Sequence, residues 1–147
     1  MHALEEIHRL LKPTGALIDI HPVADYSSVE VHGNGKVDIA GKLFVRQWWV
    51  DFQAADNAIT EIVQRGRFVV EQEVVFDSLT HYASATEMEI SEKEAIDRFA
   101  RDGESARESY PQVEVLAARA GKLMQAARGK VELIIREPTL ICRLRPT

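Results

Sequence analysis

Gly15-Ala16-Leu17-Ile18-Asp19-Ile20-His21-Pro22 sets four apolar residues in the five positions 16–20, directly after the helix-breaking Lys12-Pro13-Thr14. Pro13 cannot extend a helix and biases Lys12 away from helical angles, while Gly15 suits a tight connection. A run that is almost continuously apolar, without polar alternation, is what a strand covered on both faces looks like, typically a parallel strand inside an α/β sheet. The sequence therefore predicts a central strand over 16–20. Upstream, Leu4, Ile7, His8 and Leu11 recur at helical spacing, with Glu5, Glu6 and Arg9 on the opposite side, so Met1 to Leu11 is expected to be an amphipathic helix.

Downstream, residues 22–28 read as a loop. Val29-Glu30-Val31 and Lys36-Val37-Asp38-Ile39 flank Gly33-Asn34-Gly35, a turn cluster that supplies positive φ at little steric cost, and predict a β-hairpin. Trp48, Phe52, Ala55, Ile59, Ile62 and Val63 share one helical stripe, Asp51, Asp56 and Glu61 face away, and Gly66 is the expected stop. Residues 67–76 alternate, Phe68, Val70, Val74 and Phe76 against Glu71 and Glu73, which predicts a half-buried strand.

Ser84-x-x-Glu87 and Ser91-x-x-Glu94 both match a capping box, so a helix begins at one of them, with Ala95, Ile96 and Phe99 as its core face and Gly103 as its end. Pro111 suits a helix start, and Val113, Leu116, Ala117, Ala120, Leu123, Met124 and Ala127 continue one stripe towards Gly129. Over 130–145, Val131, Leu133 and Ile135 alternate on odd positions and Leu140, Cys142 and Leu144 on even ones. The register is therefore expected to slip at Glu137-Pro138 through a bulge or edge kink. No repeat, linker or low-complexity tract divides the 147 residues, which are expected to form a single α/β module with a mixed sheet and helices packed on it.

Composition narrows the function classes. The chain is 46% hydrophobic and 28% charged, enough for a core, with a net charge of −5. An acidic balance without a dense basic run argues against nucleic acid. Cys142 is the only cysteine, so neither an internal disulfide nor a cysteine metal cluster can form, and no apolar stretch approaches the length of a membrane helix. A cytoplasmic protein with no membrane partner is expected.

Leu4-Glu5-Glu6-Ile7-His8-Arg9-Leu10-Leu11-Lys12-Pro13-Thr14-Gly15-Ala16-Leu17-Ile18-Asp19-Ile20-His21-Pro22 resembles a stretch of class I S-adenosylmethionine-dependent methyltransferases, where it is the helix, turn and fifth strand. The family's turn is usually Lys-Pro-Gly-Gly, so Thr14 is a departure. The resemblance implies a Rossmann-like fold in which a helix, a sixth strand and an antiparallel seventh strand follow, corresponding to 48–65, 67–76 and 130–145. The family builds its cofactor site from its first half, and nothing here matches the glycine-rich loop or the acidic ribose ligand. Gly33-Asn34-Gly35 precedes a hairpin strand instead of a helix and cannot stand in for that loop. The chain thus looks like the C-terminal half of such an enzyme, with no cofactor of its own and no catalytic residue carried over. In the family the strand matching 16–20 pairs with a preceding strand that is absent here, so the resemblance implies an unpaired edge and predicts self-association, with this edge or the first helix at the interface, most simply as a homodimer, or pairing with the missing N-terminal half. Two alternatives stand beside it. One is a small-molecule methyltransferase that takes S-adenosylmethionine once a partner chain completes the site, with His21, Tyr26 and Trp49 facing substrate. The other is a small-ligand-binding protein.

Of the chemistry-bearing residues, Asp19 and His21 form the best polar pair, two apart on one strand face. They hold either a general base or ordinary contacts, Asp19 capping or hydrogen-bonding a neighbouring loop and His21 preceding a Pro turn. His2, His8, His21, His32 and His81 show no metal-ligand spacing. Trp48 and Trp49 point about 100° apart on a helix, so only one fits the core stripe and Trp49 is the exposed candidate. His81-Tyr82 reads as a loop or pocket edge, Glu87, Glu89, Glu92 and Glu94 as a solvated helix face, and Cys142 as a buried small hydrophobe.

Overall fold

The computed structural model describes residues 2–100 and 107–147, which hold four helices and five strands. In chain order these are α1 (His2–Leu10), β1 (Leu17–Pro22), β2 (Ser27–Gly33), β3 (Lys36–Leu43), α2 (Arg46–Gln64), β4 (Phe68–Tyr82), α3 (Ala85–Phe99), α4 (Tyr110–Ala126) and β5 (Val131–Pro146). The strands form an open sheet of order β1-β5-β2-β3, antiparallel at each of these pairings where a mixed sheet was expected, with β4 also pairing β5. The chain gathers into two compact units, one made of the segment up to Ala24 with Val50–Asp77 and Pro138–Thr147, the other of Asp25–Trp49 with Ser78–Glu137. Among the described residues no helix is long and apolar enough to cross a membrane.

In the first unit, β1 lies antiparallel to β5, from Leu17 opposite Leu144 to Pro22 opposite Thr139. Its core is Ile62, Phe68, Cys142 and Leu144, closed by Leu4, Ile7 and Leu11 of the α1 segment, by Leu17, and by Ile59 and Val63 of α2. The stripe of α2 packs as its periodicity requires. Gly66 ends the helix at φ 66°, and the amides of Gly66 and Arg67 reach back to the carbonyls of Val63 and Ile62 at 2.8 and 3.2 Å. His8 turns its ring edge-on to Phe68, with centroids 5.2 Å apart.

Two expectations are corrected here. The strand expected at 16–20 is neither central nor covered on both faces. It is antiparallel, stands at the end of the strand order, and leaves Ile18 and Ile20 50% and 59% exposed. A continuous apolar run gives burial on both faces only where a second layer exists to cover it. The strand expected at 67–76 is longer and is not half-buried. Phe68 alone is buried, while Val70, Val74 and Phe76 are exposed beside their polar neighbours.

In the second unit, β2 and β3 form the expected hairpin. Asn34 and Gly35 both take positive φ, 53° and 73°, the two-residue turn that follows the right-handed strand twist. Val29 faces Gly41 but Glu30 faces Ile39, so Ala40 is an extra residue and β3 carries a bulge there. The core joins Val29, Val31, Ala40 and Leu43 of the hairpin to Met88 and Ile96 of α3, Val113, Leu116, Ala117 and Ala120 of α4, and Leu133 and Ile135 of β5. Ser84 caps α3 by accepting from the Glu87 amide at 3.1 Å. The Glu87 carboxylate accepts in turn from the Ala83 amide, so the first of the two capping-box matches is the real start. Phe99, expected in the core, is exposed, and Gly103 lies outside the described residues.

The expected slip in 130–145 is present within one continuous strand. β5 pairs with β2 up to Arg136 and with β1 from Thr139. Leu133, Ile134 and Ile135 are buried before Pro138, and Thr139, Cys142 and Leu144 after it, so the hydrophobic parity changes from Leu133 and Ile135 to Cys142 and Leu144 while Ile134 is covered as well. Pro138 has no N–H to donate and offers only its carbonyl, which accepts from the Val23 amide at 2.8 Å.

Candidate functional site

Asp19 and His21 project from the same face of β1, as their spacing requires, towards the packed side of the strand. His21 is 8% exposed. Its Nδ1 lies 2.6 Å from Asp19 Oδ2 and its Nε2 lies 2.8 Å from Oδ1 of Asp56, which α2 supplies. Carboxylates only accept, so satisfying both contacts takes a proton on each ring nitrogen: His21 is held as an imidazolium donating to two acids. Burial by itself disfavours that cation, and the hydrogen bonds and charges of Asp56 and Asp19 outweigh it, raising the ring above the ordinary histidine value. A general base needs a free lone pair, and here neither nitrogen has one. The arrangement acts as an ionic latch between β1 and α2. Asp56, read from the sequence as facing away, is the member that local periodicity missed.

Beside the latch, Cys142 is fully buried opposite Asp19. Burial, then the charges of Glu73 and Asp19, push its thiol up, so it behaves as a small hydrophobe and not as a nucleophile.

The second unit holds two further polar clusters. Glu30, buried on β2, accepts from Ser28 Oγ at 2.6 Å, from Arg136 Nε at 2.9 Å and from His32 Nε2 at 2.8 Å. The Arg136 guanidinium leads in drawing its carboxyl down to about 2, against the opposing effect of burial. Glu92 is buried in α3 and accepts from the Tyr82 hydroxyl at 2.5 Å. Burial raises its carboxyl despite that bond. Glu137, which accepts from Ser27 Oγ at 3.4 Å, is raised by burial and by the charge of Glu92. The reading of Glu92 as part of a solvated face is therefore corrected. Its position four residues from both Met88 and Ile96, the buried line of α3, was the available signal.

Of the residues expected to face a substrate, His21 belongs to the first unit, while Tyr26 and Trp49 belong to the second. Tyr26 is half-exposed, its ring 5.3 Å from that of Phe44 with Lys42 Nζ 5.5 Å above it. Trp49 is exposed on α2 as the 100° argument expected, and Trp48 packs on the core. A shallow hollow of about 200 Å³ at the hairpin turn is lined by His32, Gly33, Asn34, Gly35, Lys130 and Glu132. Its lining includes no aliphatic side chain and no aromatic one besides the His32 ring. No protein-family model matches the sequence, and neither a curated protein nor a solved structure shows significant similarity to it.

Proposed function

We propose that these residues form a methyltransferase-like C-terminal module that self-associates and is not catalytic by itself. The strand pairing is the observation that supports this reading. With the β2–β3 hairpin and the α3–α4 pair set aside, the elements run helix, strand, helix, strand, strand as α1, β1, α2, β4 and β5, and β5, which also pairs β2, is paired to both β1 and β4 and antiparallel to β1. That is the neighbour order the resemblance implies for its fifth, seventh and sixth strands. The β2–β3 hairpin is an insertion between the fifth strand and the helix after it. None of the 147 residues supplies a glycine-rich nucleoside loop. The best acid–base pair, Asp19 and His21, is engaged in the latch, so the module contributes framework and surface, and nucleoside chemistry in this reading comes from outside it.

Half-exposed Tyr26 and exposed Trp49 favour a second reading, a small-molecule methyltransferase completed by another polypeptide. Calorimetric titration with S-adenosylhomocysteine separates the two. Ligand at about 100 times its dissociation constant stabilises a binding protein by about 2.7 kcal/mol, a readable melting shift. We expect neither heat nor shift at millimolar ligand. Saturable binding to the purified chain would overturn the non-catalytic reading.

A further inference from the structure

Among the described residues β1 is hydrogen-bonded along one edge only, to β5. An edge strand with a bare apolar face is a template for a further strand, and three features of β1 point to which strand that is. Ile18 and Ile20 lie on its open face and are among the most exposed large aliphatic residues of the chain. Asp19 and His21, of opposite charge, flank Ile20 symmetrically on the other face. Pro22 closes the strand and limits any new ladder to a few residues.

We propose that β1 pairs antiparallel with β1 of a second copy of this chain about a two-fold axis at Ile20. This proposal rests on the self-association put forward above and assigns it a strand and a register. An isologous strand pair keeps each face continuous, so the axis passes through a residue and every residue meets one of the same parity. Centring on Asp19 sets two carboxylates opposite each other, and centring on His21 sets two imidazolium rings opposite each other. Like charges directly across a strand pair are destabilising. Centring on Ile18 leaves Asp19 facing Leu17, with no charge partner. Only the axis at Ile20 puts Asp19 of each copy opposite His21 of the other, about 5 Å between Cβ atoms, while Ile20 meets Ile20 and Ile18 meets Pro22 on the apolar face. Each Asp19 and His21 stays hydrogen-bonded in the latch of its own chain, and the charge order along the edge, carboxylate then imidazolium, matches its own two-fold image, which favours a second copy over an unrelated strand.

Cysteine crosslinking reads both the strand and the register. In a Cys142→Ser background, Ile20→Cys brings two thiols together across the axis. Ile18→Cys leaves its two copies about 14 Å apart at about 3.4 Å per residue of offset, beyond the 7 Å limit for a disulfide. Both positions are exposed, so circular dichroism and melting verify that each variant keeps its fold. Under mild oxidation we expect covalent dimer from Ile20→Cys and none from Ile18→Cys. Ile20→Lys in the natural background is expected to weaken the dimer at least tenfold by sedimentation velocity. A chain that sediments as a monomer at high micromolar concentration overturns both this proposal and the self-association beneath it. A dimer that crosslinks at neither position, or at Ile18 in preference, overturns the β1 register while leaving self-association standing.

Discussion

His21 carries the clearest residue-scale consequence. Its folded pKa is raised, so the stability it contributes is fully present below the unfolded histidine value, near 6.5, and is lost as pH rises through the folded value. The hydrogen bond to Asp56 is charge-assisted only while the ring is protonated. Asp56→Asn is therefore expected to cost about 1.5–3 kcal/mol at pH 6 and distinctly less at a second pH above the folded value, where the ring has lost its proton. Urea unfolding at the two pH values measures the difference, and the His21 ring resonances should titrate at lower pH in the variant. An equal loss at both pH values would mean that Asp56 packs without latching. Nothing local in the sequence announced this contact. Asp19 and His21 were legible as a pair because a strand repeats every two residues, whereas Asp56 sits 35 positions from His21 and on the polar side of its helix by hydropathy.

At the scale of elements, the bulge in β3 decides how closely α4 approaches the hairpin. Gly41 follows the extra residue Ala40, has φ 154°, and a Cβ placed on it would stand 2.6 Å from Leu116 Cδ2. Gly41→Ala must displace a buried leucine or the strand itself, at about 1–3 kcal/mol. Because the obstacle is one side chain, the cost should shrink in a Leu116→Ala background. A double-mutant cycle by chemical denaturation measures that coupling, and strictly additive losses would show that the backbone angle alone demands glycine. This packing explains which elements the sequence made legible. α2, α4 and the hairpin were readable because each buries one face and so carries its period, and the slip at Pro138 because alternation changes parity in full view. β1 and β4 were misread in their covering because apolar content says what a face could bury, not whether anything is present to bury it. Glu92 was misread for the converse reason: exposed Glu87 and Glu94 and half-buried Glu89 around it masked the position that Met88 and Ile96 place in the core.

For the whole molecule, the two compact units carry unequal cores. Among the described residues, the first is built on four buried apolar residues, Ile62, Phe68, Cys142 and Leu144, and the second on thirteen, Val45 before α2 and twelve spread over the hairpin, α3, α4 and β5. At about 25 cal/mol per Å² of apolar surface removed from water, that imbalance gives the segments unequal resistance to opening, even though α2, β4 and β5 each contribute residues to both units. Hydrogen exchange followed by mass spectrometry at low micromolar concentration is expected to leave Val31, Leu133 and Ile135 as the slowest amides. Ile62 and Phe68 should exchange sooner, and 69–76, exposed along its length, faster still. Repeating the exchange at high concentration separates intrinsic opening from assembly. If a second copy covers the free edge of β1, protection should grow with concentration over Leu17–Ile20 and stay constant in the hairpin. Uniform protection across both units would show that they open only together, and the smaller core would then owe its stability to the continuity of β4 and β5 instead of to its own packing.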